Sequence, residues 1–343
     1  MNAPGRIRVL VVDDSAFARK VLRETLSVST ALEVVGVARD GLDALEKIAE
    51  LNPDVVTLDL VMPNLDGLGV LRALPATGGP RVVVVSISDS NSALGVEALQ
   101  IGAVDLVQKP TALATDRLYE MSGELVAKVI AAGGSRQRII SAATQPSVLR
   151  APTLGGVRLV VVGTSTGGPQ ALTRLLTSLP RDLPCAVAVA LHIPAGYTEA
   201  LARRLNDACA VRVFEAAEGA PLEAGSVAIA RGGMHLRVRA DGPTITTHLD
   251  TKPTAAPFCP SVDVLFESAA AALGGAVLGV VLTGMGNDGV AGARAIQLAR
   301  GRTLTEAESS CVVYGMPRAV AEAELSFREA PIESMADLIL AHL

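Results

Sequence analysis

The chain has 343 residues, half of them hydrophobic, a net charge of −5, four cysteines and only 2% aromatic side chains. Its length fits about two domains of ordinary size, and its mild acidity without any long Lys/Arg run argues against a nucleic-acid-binding face. The cysteines form no C-x-x-C pair, which argues against a zinc ribbon or a dense disulfide framework, and no apolar stretch approaches the ~18 uncharged residues of a membrane span.

The first third alternates short apolar runs with helical patterns. Ile7–Val12, Glu33–Ala38, Asp54–Leu58, Arg81–Ser86 and Val104–Val107 read as strands. Ser15–Ser27, Gly41–Leu51, Gly67–Leu74, Asn91–Ile101 and Leu113–Ala131 read as helices between and after them. That alternation predicts a five-stranded, doubly wound parallel sheet over residues 6–131. Residues 132–156 are rich in Gly, Ser, Ala and Pro, lack acidic side chains, and read as a linker.

A second α/β pattern is expected over 157–343. Val157–Val162 is a strand, Pro169–Ser178 a helix, Cys185–Leu191 a strand and Tyr197–Asp207 a helix. Val211–Phe214, Ser226–Ala230, His235–Arg239 and Thr244–Thr247 read as shorter strands forming a small β insertion. Val262–Leu273, the strand Ala276–Leu282 and the helix Val290–Ala299 complete the pattern around a parallel sheet.

Four of the first five strands deliver a polar group to one sheet edge. Asp13 and Asp14 follow the first strand, Asp59 the third, Ser86 ends the fourth, and Lys109 follows the fifth. Three carboxylates make a hard oxygen site that suits Mg²⁺, and Asp59 is placed to take a phosphoryl group. Lys109 and Ser86 would then bind the phosphoryl oxygens. The plainer alternative is that each acid caps the helix that follows it. The runs VLVVDDSAFAR, Asp59–Gly67 and Lys109-Pro110 resemble a response-regulator receiver domain. That resemblance implies phosphorylation of Asp59 by a partner histidine kinase, with Mg²⁺ held by Asp13 or Asp14 together with Asp59. The chain departs from it at Leu106, where receivers often carry an aromatic switch residue.

The second constellation is Ser, His and Asp in three strand–turn units. Gly163-Thr164-Ser165-Thr166-Gly167 fits G-x-S-x-G between a strand and a helix, the setting of an exposed nucleophile. A phosphate-binding glycine loop or a simple serine cap would read similarly. Serine needs a base, and His192, closing the strand at 185–191, is better placed than His235, His248 or His342. Asp288 follows the strand at 276–282 and would orient His192, with Asp263 as competitor. Backbone N–H groups of Thr166 and Met285 are candidates for an oxyanion hole.

The blocks GTSTGGPQAL, LHIPAGYTEALARRLN, CPSVDVLFESAA and VLTGMGNDG resemble the catalytic domain of chemotaxis protein-glutamate methylesterases. The resemblance spans nearly the whole chain. It implies Ser165 as nucleophile, His192 as base and Asp288 as third member, with no cofactor for the ester hydrolysis. It implies methylated chemoreceptors as substrate, glutamine deamidation as a second activity, a chemotaxis histidine kinase as phosphodonor and a cytoplasmic site of action without membrane insertion. It also implies that the unphosphorylated receiver covers the catalytic cleft. Where the family often has Arg before PSVDVLF, this chain has Cys259.

Overall fold

The computed structural model describes residues 5–75, 78–86, 88–109, 115–134, 156–251 and 256–343, with the side chains of 88–91 and 115–122 outside that description. The chain divides into two compact units, Met1–Gln137 and Arg138–Leu343. Pro110 and residues 135–155 of the expected linker lie outside the described residues.

In the first unit the elements run β1 (Ile7–Val12), α1 (Ala16–Ser27), β2 (Leu32–Ala38), α2 (Gly41–Leu51), β3 (Val55–Leu58), α3 (Gly67–Ala73), β4 (Arg81–Ser86), α4 (Ser88–Ile101), β5 (Asp105–Gln108) and α5 (Thr115–Gly134). Helix α5 thus continues three residues past the expected start of the linker. The sheet has the order β2-β1-β3-β4-β5 with every pair parallel. Residues Val9–Val12 and Val55–Leu58 are buried on both faces, which is why these strands read as unbroken apolar runs. The order reverses between β1 and β3, and the crevice at such a switch point opens at the carboxyl ends of the strands. That is where Asp13 and Asp59 sit.

The second unit contains β6 (Leu159–Thr164), α6 (Gly168–Thr177), β7 (Ala186–Leu191), α7 (Thr198–Ala208), β8 (Arg212–Glu215), β9 (Ser226–Ile229), β10 (His235–Asp241), β11 (Thr244–Asp250), α8 (Val262–Leu273), β12 (Val277–Val281), α9 (Val290–Leu298), β13 (Arg302–Glu306), α10 (Met316–Glu322), β14 (Arg328–Ala330) and α11 (Ile332–Leu340). Seven strands form one parallel sheet in the order β14-β13-β12-β6-β7-β9-β8. Among the described residues, β10 and β11 pair as an antiparallel hairpin outside that sheet. Of the four strands expected in the insertion, the first two therefore extend the main sheet, because β9 finds a parallel partner in β7. Strand β6 lies between β7 and β12, so the strands that carry Ser165, His192 and Asp288 are neighbours.

The core of this unit joins the sheet to α8. Phe266 is fully buried among Val262, Leu265, Ala269, Val277, Val281 and Ile296. With so few aromatic side chains, truncating this one leaves a cavity that small aliphatic neighbours cannot fill. Phe266→Ala should lower stability by about 3–5 kcal/mol, measured as a fall in the denaturant midpoint of the second unit's unfolding transition. A loss below about 1 kcal/mol would contradict this account of the core.

Candidate active site

Ser165 is the first residue beyond the pairing of β6 with β7, and so is His192. Thr164 pairs with Leu191, the last residue of β7, and the His192 N–H donates to the Thr164 carbonyl at 3.1 Å. Adjacent strands lie ~4.8 Å apart, so the register brings the two residues to neighbouring backbone positions at the sheet edge. Helix α6 starts with Gly167 at its N-cap and no side-chain cap bond. Ser165 is therefore not the cap of α6, which removes one of the two alternatives for it. Gly167 has φ +78°, and a Cβ there would lie 2.6 Å from the Cβ of Val312. The turn that presents Ser165 therefore requires glycine at that position.

The turn after β12 closes on Ser165 from the other side. The Ser165 N–H donates to the Thr283 carbonyl at 3.1 Å. A Cβ at Gly284 would lie 2.8 Å from the Ser165 Cβ and 2.4 Å from the Met316 sulfur. Only glycine lets this backbone, which continues into Met285, approach the serine so closely. Thr283 ties the parts together: its hydroxyl donates to the Thr166 carbonyl at 3.0 Å and accepts from the Val313 N–H at 2.9 Å. The Thr283 N–H donates to the buried carboxylate of Glu306 at 2.8 Å.

His192 Nε2 donates to Asp288 Oδ2 at 2.8 Å. His192 Nδ1 is buried without a hydrogen-bond partner among the described residues. A histidine so arranged has one nitrogen fixed by a carboxylate and the other available as a base. Asp288 also accepts from the Val262 N–H at 2.7 Å, the Asp263 N–H at 2.9 Å and the Ser261 hydroxyl at 3.0 Å. These donors form the first turn of α8, whose positive end favours an anion. Burial pushes the Asp288 carboxyl up, but the hydrogen bond and charge of His192 and the two backbone donors outweigh it. The group is held below the ordinary carboxylate range and stays ionised.

Asp263 has a different task. Its Oδ1 accepts the N–H groups of Gly289 and Gly292 at 2.9 and 2.7 Å, capping α9. Of the two competing carboxylates, only Asp288 touches the histidine. The free ring face of His192 is covered by Phe258, with centroids 4.2 Å apart and planes 17° from parallel. Ser261, Thr283, Glu306 and Phe258 are supporting residues that sequence reasoning did not find. Ser261 carried a readable signal, a serine directly before a helix. Phe258 and Glu306 carried none. A surface cavity of about 440 Å³ lined by Arg158, Cys185, Glu223 and Pro243 lies at the opposite edge of the sheet and holds none of these groups.

In the first unit, Lys109 Nζ bridges Asp13 Oδ2 at 2.8 Å and Asp59 Oδ2 at 2.6 Å. The carboxylates of Asp13, Asp14 and Asp59 offer oxygens within 4.8 Å of one another, a donor set that fits Mg²⁺. Neither Asp13 nor Asp59 caps a helix: Ser15 caps α1 and Asp66 caps α3. Burial pushes the Asp59 carboxyl up, and the Lys109 ammonium only partly offsets this. Burial also works against the charge on Lys109, but its two carboxylate partners hold it above its ordinary range. The Ser86 hydroxyl is buried without a hydrogen-bond partner among the described residues. Leu106 is fully buried and serves as core packing. All four cysteines are free thiols, and Cys259 is exposed.

One test separates the two carboxylates of the second unit. Burial pushes Asp263 up to about 6 from 3.8. A carboxyl raised on folding stabilises the protein below its unfolded-state value, and that stability is lost as pH rises through the folded-state value. Asp263→Asn keeps the accepting oxygen and removes the charge. It should raise the unfolding midpoint at about pH 7.5, and the gain should vanish near pH 4. Denaturant titrations at both pH values check this, and an equal gain at both would contradict it.

The CheB methylesterase family profile matches residues 160–339, and the response regulator receiver domain profile matches residues 9–121. Over its whole length the chain is 62% identical to a protein-glutamate methylesterase/protein-glutamine glutaminase of Myxococcus xanthus, which is itself covered completely. It is 44% identical to the protein of that name from Symbiobacterium thermophilum, over 97% of this chain and 96% of the relative. The crystal structure of the Thermotoga maritima CheB methylesterase catalytic domain aligns over 55% of this chain and 100% of its own, with 33% identity and a TM-score of 0.53. The fold, the pairing of His192 with Asp288 and these likenesses agree, and the chain belongs to the CheB methylesterase family, with a response regulator receiver domain preceding the catalytic part.

Proposed function

We propose that this chain hydrolyses glutamate γ-methyl esters on chemoreceptors, releasing methanol, and that phosphorylation of Asp59 raises its rate. The observation that carries the esterase is the His192–Asp288 pair, at the sheet edge where the β6–β7 register sets Ser165 beside His192. Ser165 attacks the ester carbonyl as His192 takes its proton on the free ring nitrogen. The resulting imidazolium is stabilised by Asp288 and returns the proton to departing methanol. Water, deprotonated by the same histidine, then hydrolyses the acyl-serine to glutamate. Backbone N–H groups of Thr166 and Met285 are the proposed donors to the oxyanion. The same acyl chemistry with ammonia as leaving group gives glutamine deamidation, in keeping with the double name of the relatives. Val262, Asp263 and Ser261 keep Asp288 ionised throughout.

In the receiver, 6–131, the Asp59 carboxylate attacks the phosphoryl donor, supplied by a histidine kinase. Lys109 and the Ser86 hydroxyl take the phosphoryl oxygens in place of their present surroundings. Asp13, Asp14 and Asp59 would hold Mg²⁺, which would supply positive charge to offset that of the phosphoryl group. Residues 132–156 connect this part to the catalytic domain, 157–343. Among the described residues no helix is long and apolar enough to cross a membrane.

Ser165→Ala should leave the chain folded and reduce methanol release from methylated receptors by at least about 10³-fold. Release at the wild-type rate would overturn the assignment. A small phosphodonor with Mg²⁺ should raise the rate of the intact chain, and Asp59→Asn should abolish that rise while keeping the basal rate. A rate indifferent to phosphodonor would remove the regulatory half of the proposal.

A further inference from the structure

The hydrogen bond to Asp288 fixes one point of the His192 ring. It leaves the imidazole able to turn about an axis through that nitrogen. The stacked ring of Phe258, at 4.2 Å and 17°, fixes the plane. We infer that Phe258 is a positioning residue for His192, and that its π face favours the imidazolium form through which the ester hydrolysis passes. This rests on the proposed role of His192 as base.

Two physical effects follow from the same contact. An aromatic ring carries negative charge density on its faces, so a cation stacked on it is stabilised and a neutral group is stabilised much less. The contact therefore strengthens as the proton arrives, which is the differential stabilisation a transition state needs. The contact is also half desolvated: Phe258 is partly exposed while the His192 side chain is only 7% exposed. Phe258 is held by the chain that follows it. Two residues on, Pro260 is buried, and Ser261 then starts α8 and donates to Asp288. One short segment thus sets both the anion on one edge of the histidine and the aromatic face above it.

Among the described residues, the charged partner of His192 is Asp288 in the turn after β12. Asp263 in the first turn of α8 donates its N–H to that carboxylate. His235 at the start of β10 is acted on by Arg237, Asp250 and Asp288, and Cys259, next to Phe258 in sequence, by Asp250. Burial pushes His235 towards its neutral form, and its Nδ1 accepts the Ser261 N–H at 3.2 Å. None of these groups changes in a Phe258 variant, so a difference in pH response isolates the aromatic face.

The test compares Phe258→Leu, which keeps apolar bulk, with Phe258→Tyr, which keeps the face. In Phe258→Leu, kcat should fall several-fold with KM nearly unchanged, and the acid limb of the pH–rate profile should move down by a few tenths of a pH unit. Phe258→Tyr should retain the wild-type limb and most of kcat. The same shift should appear in the titration of the His192 ring protons, followed by NMR in the intact chain carrying Ser165→Ala. That readout needs no turnover, so it stands even if the substrate assignment fails. An unshifted limb and ring titration in Phe258→Leu would overturn the inference, as would an equal shift in Phe258→Tyr.

Discussion

Asp288 accepts hydrogen bonds from His192, Ser261, Val262 and Asp263, and most of the catalytic unit is arranged around that convergence. The carboxylate is buried, a position that costs several kcal/mol for an isolated ion. It is tolerated because the first turn of α8 points its free N–H groups at it and because a histidine lies opposite. This ties the chemistry to the packing. Helix α8 is anchored in the core by Phe266, so the apolar interior fixes the helix, the helix fixes the anion and the anion fixes the His192 ring. Glu306 performs a related service from β13, holding the Thr283 N–H and through it the turn that closes on Ser165. Burial pushes the Glu306 carboxyl up, and the Thr283 N–H and Ser310 hydroxyl that donate to it partly offset this.

The receiver solves the opposite electrostatic problem. Three carboxylates crowd one sheet edge, and a single ammonium, Lys109, lies between two of them. Burial and the neighbouring acid both disfavour charge on Asp59. The pocket thus holds more carboxylates than the one ammonium between them neutralises, a charge balance that suits the proposed binding of a metal ion there.

Much of this was legible in the sequence because the acting residues sit at the ends of apolar strands. Asp13, Asp59, Ser165 and His192 each close a run of buried aliphatic residues, and such runs are visible without any tertiary knowledge. The choice between Asp288 and Asp263 was harder. It depends on which carboxylate caps α9, a contact across 26 residues of sequence. The four short strands after α7 were read as one insertion, yet β8 and β9 belong to the main sheet. A four-residue strand carries too little pattern to name its partner. The sequence pattern predicts no individual strand or helix beyond Ala299, so β13, β14, α10 and α11 emerge only in the structure. In β13 the buried residues are Thr303, Leu304, Thr305 and Glu306, a polar interior that no hydrophobic pattern announces. Phe258 was invisible for another reason: a lone aromatic residue in a loop looks the same whether it faces solvent or covers a base.

The register of β6 on β7 also bears on how this protein can change length. Side chains alternate faces along a strand, so adding or removing one residue within either strand inverts everything beyond it. Ser165 and His192 are the next residues after the last pair, Thr164 with Leu191. A one-residue change in either strand would leave a sheet that still pairs while turning one of the two side chains away from the other. The β10–β11 hairpin is under no such register constraint at its tip, where Gly242 has φ +55° and an added Cβ would meet nothing within 4 Å, and where the contact to the main sheet is made by Arg158 donating to the Gly242 and Pro243 carbonyls. Insertions among relatives, and loops grafted by design, should therefore accumulate at that tip and be absent from the two strands beside the serine.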